Sequence, residues 1–162
     1  MKSIICKNYS IHINDWSEFR KHITSCDPSN VFVLVDNNTE KHCLHILLEN
    51  LDIPCQVIRI PAGEQHKTIE TSQWVWTKML QYGADRHSIL INLGGGVVGD
   101  LGGFCTGTYM RGIRFIQMPT TLLSQVDASV GGKVGVDLMG FKNMVGLICE
   151  PESVFIFTEF LS

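Results

Sequence analysis

Apolar residues in this chain gather into short unbroken blocks, and between the blocks they recur every three or four positions. The blocks are Val31–Asp36 (VFVLVD), Cys55–Pro61 (CQVIRIP), Ser88–Leu93 (SILINL), Arg114–Pro119 (RFIQMP) and Ser153–Thr158 (SVFIFT). Continuous hydrophobicity over so few residues predicts strands buried on both faces. Ser3–Cys6 and Ser10–Ile13 are shorter and predict a small hairpin at the start. The stretch 37–51 predicts a helix capped by Asn37, Asn38 or Thr39, with Leu44, Leu47, Leu48 and Leu51 as its buried stripe. A second helix is predicted from Ile69 to Tyr82, with Ile69, Trp76 and Leu80 on one face and Gly83 as its stop. TTLLSQVDASV (120–130) predicts a short helix capped by Thr120 or Thr121, and GGKVGVDLMGFKNMVG (131–146) reads as a glycine-rich loop. Strands alternating with helices predict one α/β domain over 1–162, with a largely parallel sheet flanked by helices. Such sheets bind ligands beyond the carboxyl ends of their strands. Asp36, the loop after Pro61, Gly94–Gly96 and Thr120–Thr121 all follow strand ends, so they are expected on one rim.

Composition narrows the classes. Of 162 residues, 44% are hydrophobic and 18% charged, which is the make-up of a packed globule. The net charge of −3 and the lack of a basic run argue against a nucleic-acid partner. No apolar stretch approaches the ~18 residues a membrane helix needs. The opening MKSIICKNYSIHIN has too short an apolar stretch for a signal peptide, so a cytoplasmic protein is expected. None of the six cysteines (6, 26, 43, 55, 105 and 149) forms a CxxC pair, and all are expected reduced and mostly buried.

Seven of the fourteen residues from Gly94 to Gly107 are glycine, directly after the third interior strand. If Gly102, Gly103 and Gly107 lie on a helix they cost roughly 3 kcal/mol in propensity, against a total stability of about 5–15 kcal/mol. Gly94, Gly96 and Gly99 fit G-x-G-x-x-G in a strand-to-helix setting, where bare backbone N–H groups and a helix N-terminus suit a pyrophosphate. The acid that usually follows about 20 residues later is replaced by IQMPT. Tight helix–sheet packing explains glycine equally well at this point.

Other residues carry two readings each. Asp127, among Val126, Ala128 and Val130, is either an exposed helical acid or one held for a purpose. Lys133 and Lys142 sit in glycine-rich sequence, as phosphate or carboxylate contacts or as ordinary surface lysines. His42 and His45 flank Cys43 without a third ligand in view, which favours a structural role. His66 can line the rim, while His12, His22 and His87 read as surface. No metal ligand is assigned within the chain.

Taken together, PAGEQHK, LGGGVVGDLGGF, YMRGIRFIQMPTTLLSQVDASVGGK and GFKNMVG closely resemble the 3-dehydroquinate synthase family, in family order, over about Val31 to Ser162. The resemblance implies a Rossmann-like domain with NAD against the glycine loop. It implies cofactor contacts from Asp36 and Asn38 to the nucleoside, and from Ala62, Gly63, Glu64, Gln65, His66 and Lys67 on the adenosine side. Gly95, Gly96, Val97, Val98, Gly99 and Asp100 match the pyrophosphate turn, and Thr120, Thr121, Lys142, Phe160 and Leu161 match further NAD contacts. Asp127, Lys133 and Asn143 match substrate positions, and Arg111 matches an arginine that reaches a neighbouring subunit's substrate phosphate, which implies a homodimer. The family's substrate is 3-deoxy-D-arabino-heptulosonate 7-phosphate. It is transiently oxidised by NAD, loses phosphate, is reduced again and closes by an intramolecular aldol reaction. A divalent metal, zinc or cobalt, is implied, with a glutamate and two histidines beyond residue 162 as ligands in a helical second domain. The 162 residues alone are therefore expected to bind NAD without turnover. Asp137 and Leu138 depart from the family's usual Asn-His or Asn-Leu and leave the fine substrate identity open. Alternatives are another sugar-phosphate cyclase such as 2-deoxy-scyllo-inosose synthase, a glycerol-dehydrogenase-type oxidoreductase, and a non-catalytic nucleotide-binding module.

Overall fold

The structure is a computed structural model that describes residues 2–161. Its strands are β1 (Lys2–Ile5), β2 (Ser10–Ile13), β3 (Val31–Asp36), β4 (Gln56–Ile60), β5 (Ile89–Gly94), β6 (Arg114–Pro119), β7 (Lys133–Leu138), β8 (Phe141–Ile148) and β9 (Ser153–Ile156). Its helices are α1 (Trp16–Cys26), α2 (Asn37–His42), α3 (Leu44–Glu49), α4 (Ile69–Gln81) and α5 (Gly96–Thr108). Seven strands form one sheet in the order β1-β2-β9-β6-β5-β3-β4, parallel except for the opening hairpin β1–β2.

Alternation along each buried strand builds two cores. Val31, Val33 and Val35 face one side with Ile89, Ile91, Phe19 and Leu47, while Phe32 and Leu34 face the other with Leu90, Val75, Met79 and Leu101. This is why the blocks are continuous in sequence: both faces of the sheet are covered. Each fully buried aliphatic or aromatic side chain contributes about 1.5–3 kcal/mol.

The chain leaves β3 toward β4 on one side, then returns to β5 on the other. The direction of winding therefore reverses between β3 and β5. The crevice beyond their carboxyl ends is the place where open α/β sheets take ligands. In register, Asp36 ends β3 beside Ile60, and Gly94 ends β5 beside Pro119. The expected rim is real.

Several expectations are corrected. The segment 37–51 is two short helices broken at the buried Cys43, and the cap is Asp36, whose carboxylate accepts from the N–H groups of Asn38 and Thr39 at 2.9 Å each. Only Leu44 and Leu47 of its leucines are fully buried, and Leu48 is exposed. On α4 the buried residues are Ser72, Val75 and Met79, while Leu80 is 70% exposed, one residue around the helix from the expected face. The segment 120–130 holds a five-residue π-helical turn, Ser124–Ala128, rather than a regular helix. The supposed loop at 131–146 is an antiparallel ribbon, β7–β8. Glycine there serves backbone crossing: a Cβ on Gly135 would sit 2.8 Å from the Val145 carbonyl oxygen. Helix α1 carries no clear sequence signal. It is capped by Asp15, which accepts from Glu18 N–H at 2.9 Å.

His12 and His22 are half-buried against Phe155 rather than on the surface, and His87 is exposed as expected. His42 and His45 are exposed and Cys43 lies in the core, the structural arrangement. All six cysteines are free. Only Cys43 and Cys105 are fully buried, and burial pushes the Cys105 thiol up to about 12.

Candidate functional site

Five of the seven tract glycines are answered by packing. A Cβ on Gly94 would meet Val98 at 2.5 Å, and one on Gly107 would meet Leu147 at 2.5 Å. At Gly102 it would collide with Asn92 Oδ1 and at Gly103 with Val134, and at Gly99 it would press on Gln117 Oε1 at 3.1 Å. α5 is pulled against the sheet and the ribbon, and no side chain fits between. Gly102→Ala is therefore expected to cost about 1–3 kcal/mol through overpacking, read as a lower denaturation midpoint at an unchanged m-value.

Gly96 is different. A Cβ there would meet only Ala128 Cβ at 3.7 Å, an ordinary contact, and its φ is not positive. Gly95, at 3.1 Å from Thr121 Cγ2, is intermediate. The protein's own packing does not require the first residue of α5 to be bare. Here also α5 starts with no side-chain cap, so its first N–H groups face the crevice without a partner from the helix. A cradle open to an outside group, at a helix N-terminus of partial positive charge, fits the diphosphate of a dinucleotide.

A polar pair inside the strands holds this turn in place. Asn92 Nδ2 donates to Gln117 Oε1 at 3.3 Å, and Gln117 Nε2 donates to the Gly99 carbonyl at 3.1 Å. Both side chains are buried. The sequence signal was available as two amides interrupting ILINLG and RFIQMP. On the far side, Thr120 N–H donates to the Gly94 carbonyl at 3.0 Å, and Gln125 ties the Pro119 and Phe157 carbonyls together at 3.2 and 3.1 Å.

The loop after β4 packs beside this turn. Gly63 has φ 116°, a conformation that requires glycine, and Ala62 N–H donates to Asn37 Oδ1 at 3.1 Å. A single 3₁₀ turn, Glu64–His66, leads to Lys67. Lys67 is only 4% exposed. Its ammonium donates to Asp100 Oδ2 at 2.7 Å and to Asn143 Oδ1 at 2.6 Å. The ribbon closes the set: Asp137 N–H donates to the Lys67 carbonyl at 2.8 Å, and Asn143 N–H donates to Asp137 Oδ1 at 2.8 Å. Burial pushes the Asp100 carboxyl up, against the lowering pull of the Lys67 ammonium. Lys67 thus pins three chain segments beneath the rim rather than standing free in it. Asp100, Asn143 and the exposed Lys133 then line one cavity of about 440 Å³.

The remaining expected residues are placed as follows. Asn38, Gln65, Thr121, Asp127 and Leu161 are exposed, and Val97 and His66 are half-buried. Val98 and Phe160 send their side chains into the cores, so only their backbones can serve a ligand. Lys142 is 73% exposed and lies 3.8 Å from Glu64 across the rim. Arg111 is not brought to this rim. It follows α5, whose 13 residues put it about 20 Å away at 1.5 Å per residue. Among the described residues, no trio of metal-ligating side chains stands at the rim. Among the described residues, no helix is long and apolar enough to cross a membrane.

The 3-dehydroquinate synthase N-terminal family profile matches residues 57–162. A 3-dehydroquinate synthase from Rhodopirellula baltica is 44% identical over 149 residues, which take in 89% of this chain and 40% of that protein. Among solved structures, 2-deoxy-scyllo-inosose synthase complexed with carbaglucose-6-phosphate, NAD+ and Co2+ superposes with a TM-score of 0.90 at 26% identity, over 99% of this chain and 46% of that one. Glycerol dehydrogenase from Schizosaccharomyces pombe shares the fold alone, with a TM-score of 0.68 at 16% identity over 93% of this chain and 37% of that one. The chain spans about two fifths of the length of the relatives it matches. With the rim, the glycine turn and these likenesses in hand, the chain belongs to the 3-dehydroquinate synthase family.

Proposed function

We propose that this chain is the dinucleotide-binding part of a 3-dehydroquinate synthase, acting on 3-deoxy-D-arabino-heptulosonate 7-phosphate. The observation that carries the reading is Gly96, bare without a packing reason, at an uncapped helix start in the crevice where the sheet reverses its winding. NAD, when bound, would supply a reversible hydride transfer: the ketone it forms would acidify the adjacent C–H, so that this carbon could lose its proton while phosphate leaves the carbon beyond it.

The residues of the chain bind and orient. N–H groups of Gly96 and Val97 hold the diphosphate. Asp36 spends Oδ1 on capping α2, which leaves Oδ2 for a ribose hydroxyl. Lys142, 3.8 Å from Glu64, would offer its ammonium to the cofactor, and Thr121 borders the turn. Lys133 and Asn143 present an ammonium and an amide to the substrate from the cavity beside Asp100, and Asp127, exposed on the turn Ser124–Ala128, serves its hydroxyls. A homodimer, with Arg111 serving the partner's substrate phosphate, is part of the same proposal. So is the divalent metal, whose ligands the family resemblance puts outside these residues.

Calorimetry on the 162-residue chain is expected to show NAD binding with no dehydroquinate formed from substrate, NAD and zinc. Product from this chain alone would overturn the assignment of the metal elsewhere, and no heat of NAD binding would overturn the cofactor site. Lys142→Ala is expected to weaken NAD by roughly 1–3 kcal/mol, as for a charge-assisted hydrogen bond. It should leave stability within about 0.5 kcal/mol, since an exposed ion pair at 3.8 Å contributes little. An unchanged dissociation constant would remove Lys142 from the site.

A further inference from the structure

The opposite end of the sheet carries a cluster that the proposed function does not use. His22 and Cys26 lie four residues apart on α1, so they share one face of the helix. Glu152 stands just before β9 and faces them from the sheet. One ligand atom from each of the three lies within 4.8 Å of the other two. The geometry points to a zinc-class cation site formed by His22, Cys26 and Glu152, tying α1 to the leading end of β9.

Imidazole, thiolate and carboxylate are the three donor types that zinc takes from proteins. With a neutral imidazole they sum to a charge of −2, which offsets a divalent cation. With Zn–S near 2.3 Å and Zn–N near 2.0 Å, ligand atoms of a tetrahedral site stand about 3.5 Å apart. The present cluster needs to contract by roughly an ångström, within the reach of side-chain rotation. His22 and Cys26 are half-buried and Glu152 is exposed, so a fourth position opens to solvent for water.

The hydrogen bonding around His22 suits the role. The single hydroxyl proton of Ser153 goes to the Glu152 carbonyl at 2.8 Å. That hydroxyl lies 2.9 Å from His22 Nε2 and 3.4 Å from Nδ1, and in the tautomer that donates Nε2–H to it, Nδ1 keeps its lone pair for a metal. Ligating histidines usually donate their second N–H in this way. Arg114, whose charge reaches both His22 and Cys26, is already committed: its guanidinium donates to the Cys26 carbonyl at 2.7 Å and the His87 carbonyl at 2.8 Å. Arg114 thereby fixes the end of α1 that carries Cys26. Metal entry would expel the thiol proton to solvent.

The site lies at the amino ends of β6 and β9, away from the crevice, and its test is independent of the cofactor reading. The metal-stripped protein would be titrated with Co2+. The expected result is a near-ultraviolet thiolate-to-cobalt band that saturates at one equivalent and is displaced by Zn2+. A catalytic metal held by glutamate and histidines has no thiolate and gives no such band. Cys26→Ser is expected to abolish the band, and Cys55→Ser to keep it. Glu152→Gln changes an exposed side chain and spares the fold. It is expected to weaken Zn2+ about tenfold or more, measured by competition with a chromophoric chelator. Absence of the band from the unaltered protein, survival of the band in Cys26→Ser, or an unchanged Zn2+ affinity in Glu152→Gln would each overturn the site.

Discussion

Lys67→Met is expected to destabilise the protein by about 3 kcal/mol at neutral pH, because removing one partner of a buried pair strands the other. For a domain of this size that is roughly 6–12 °C of melting temperature. Methionine keeps the length and apolar stem of lysine, so packing is largely preserved. What goes is an ammonium held 2.7 Å from Asp100 and 2.6 Å from Asn143. The Asp100 side chain retains 21% exposure, which keeps the cost at the lower end of the range for buried pairs.

The loss has a pH signature. Burial already raises the folded Asp100 pKa above its ordinary value, and Lys67 opposes that rise. A raised carboxyl pKa means that the folded state holds its proton to higher pH than the unfolded chain does. Stability from this group is present below the unfolded pKa and is lost as pH rises through the folded one. Without Lys67 the folded pKa climbs further. The deficit of Lys67→Met is therefore largest at neutral pH and shrinks on acidification, as Asp100 takes up a proton. Chemical denaturation at neutral and acid pH measures it, and an equal deficit at both would mean that Lys67 acts through packing alone.

The second large effect separates binding from folding. Gly96→Val is expected to abolish measurable NAD binding, at least 100-fold, while the protein remains folded. That is about 2.7 kcal/mol or more. The added Cβ meets only Ala128 at 3.7 Å within the protein, so the cost falls on whatever occupies the crevice. Gly102→Ala, six residues along the same helix, should show the reverse: impaired stability, because its Cβ collides with Asn92. A Gly96→Val protein that binds NAD normally would remove the turn from the site.

These contrasts also show how much the sequence disclosed. The blocks VFVLVD, SILINL and RFIQMP are strands within a residue of their predicted ends, because burial on both faces makes them nearly continuous apolar runs, with the amides Asn92 and Gln117 as the interior exceptions. The rim followed from them, since Asp36, Gly94 and Thr120 end or follow those strands. The glycine tract was ambiguous in sequence because two demands overlap in it. Packing against Asn92, Gln117 and Val134 accounts for most of it, and one position is left to a ligand. Helix α1 was not legible because its buried side is only Phe19 and Ile23 within a polar stretch. The β7–β8 ribbon reads as a loop in sequence because Gly135 and Gly146 allow its two backbones to approach, and glycine more often marks a turn. The knot of Lys67, Asp100 and Asn143 joins residues 33 and 76 positions apart, which no local pattern reveals. The resemblance assigned those residues to ligands. The structure adds that they hold one another.

The most direct test of the account is a crystal structure of the protein with NAD. Diphosphate oxygens within about 3 Å of the Gly96 and Val97 N–H groups, with a ribose hydroxyl at the free oxygen of Asp36, are the predicted result. A nucleotide lodged away from the start of α5, or a crevice closed by the protein's own side chains, would contradict it.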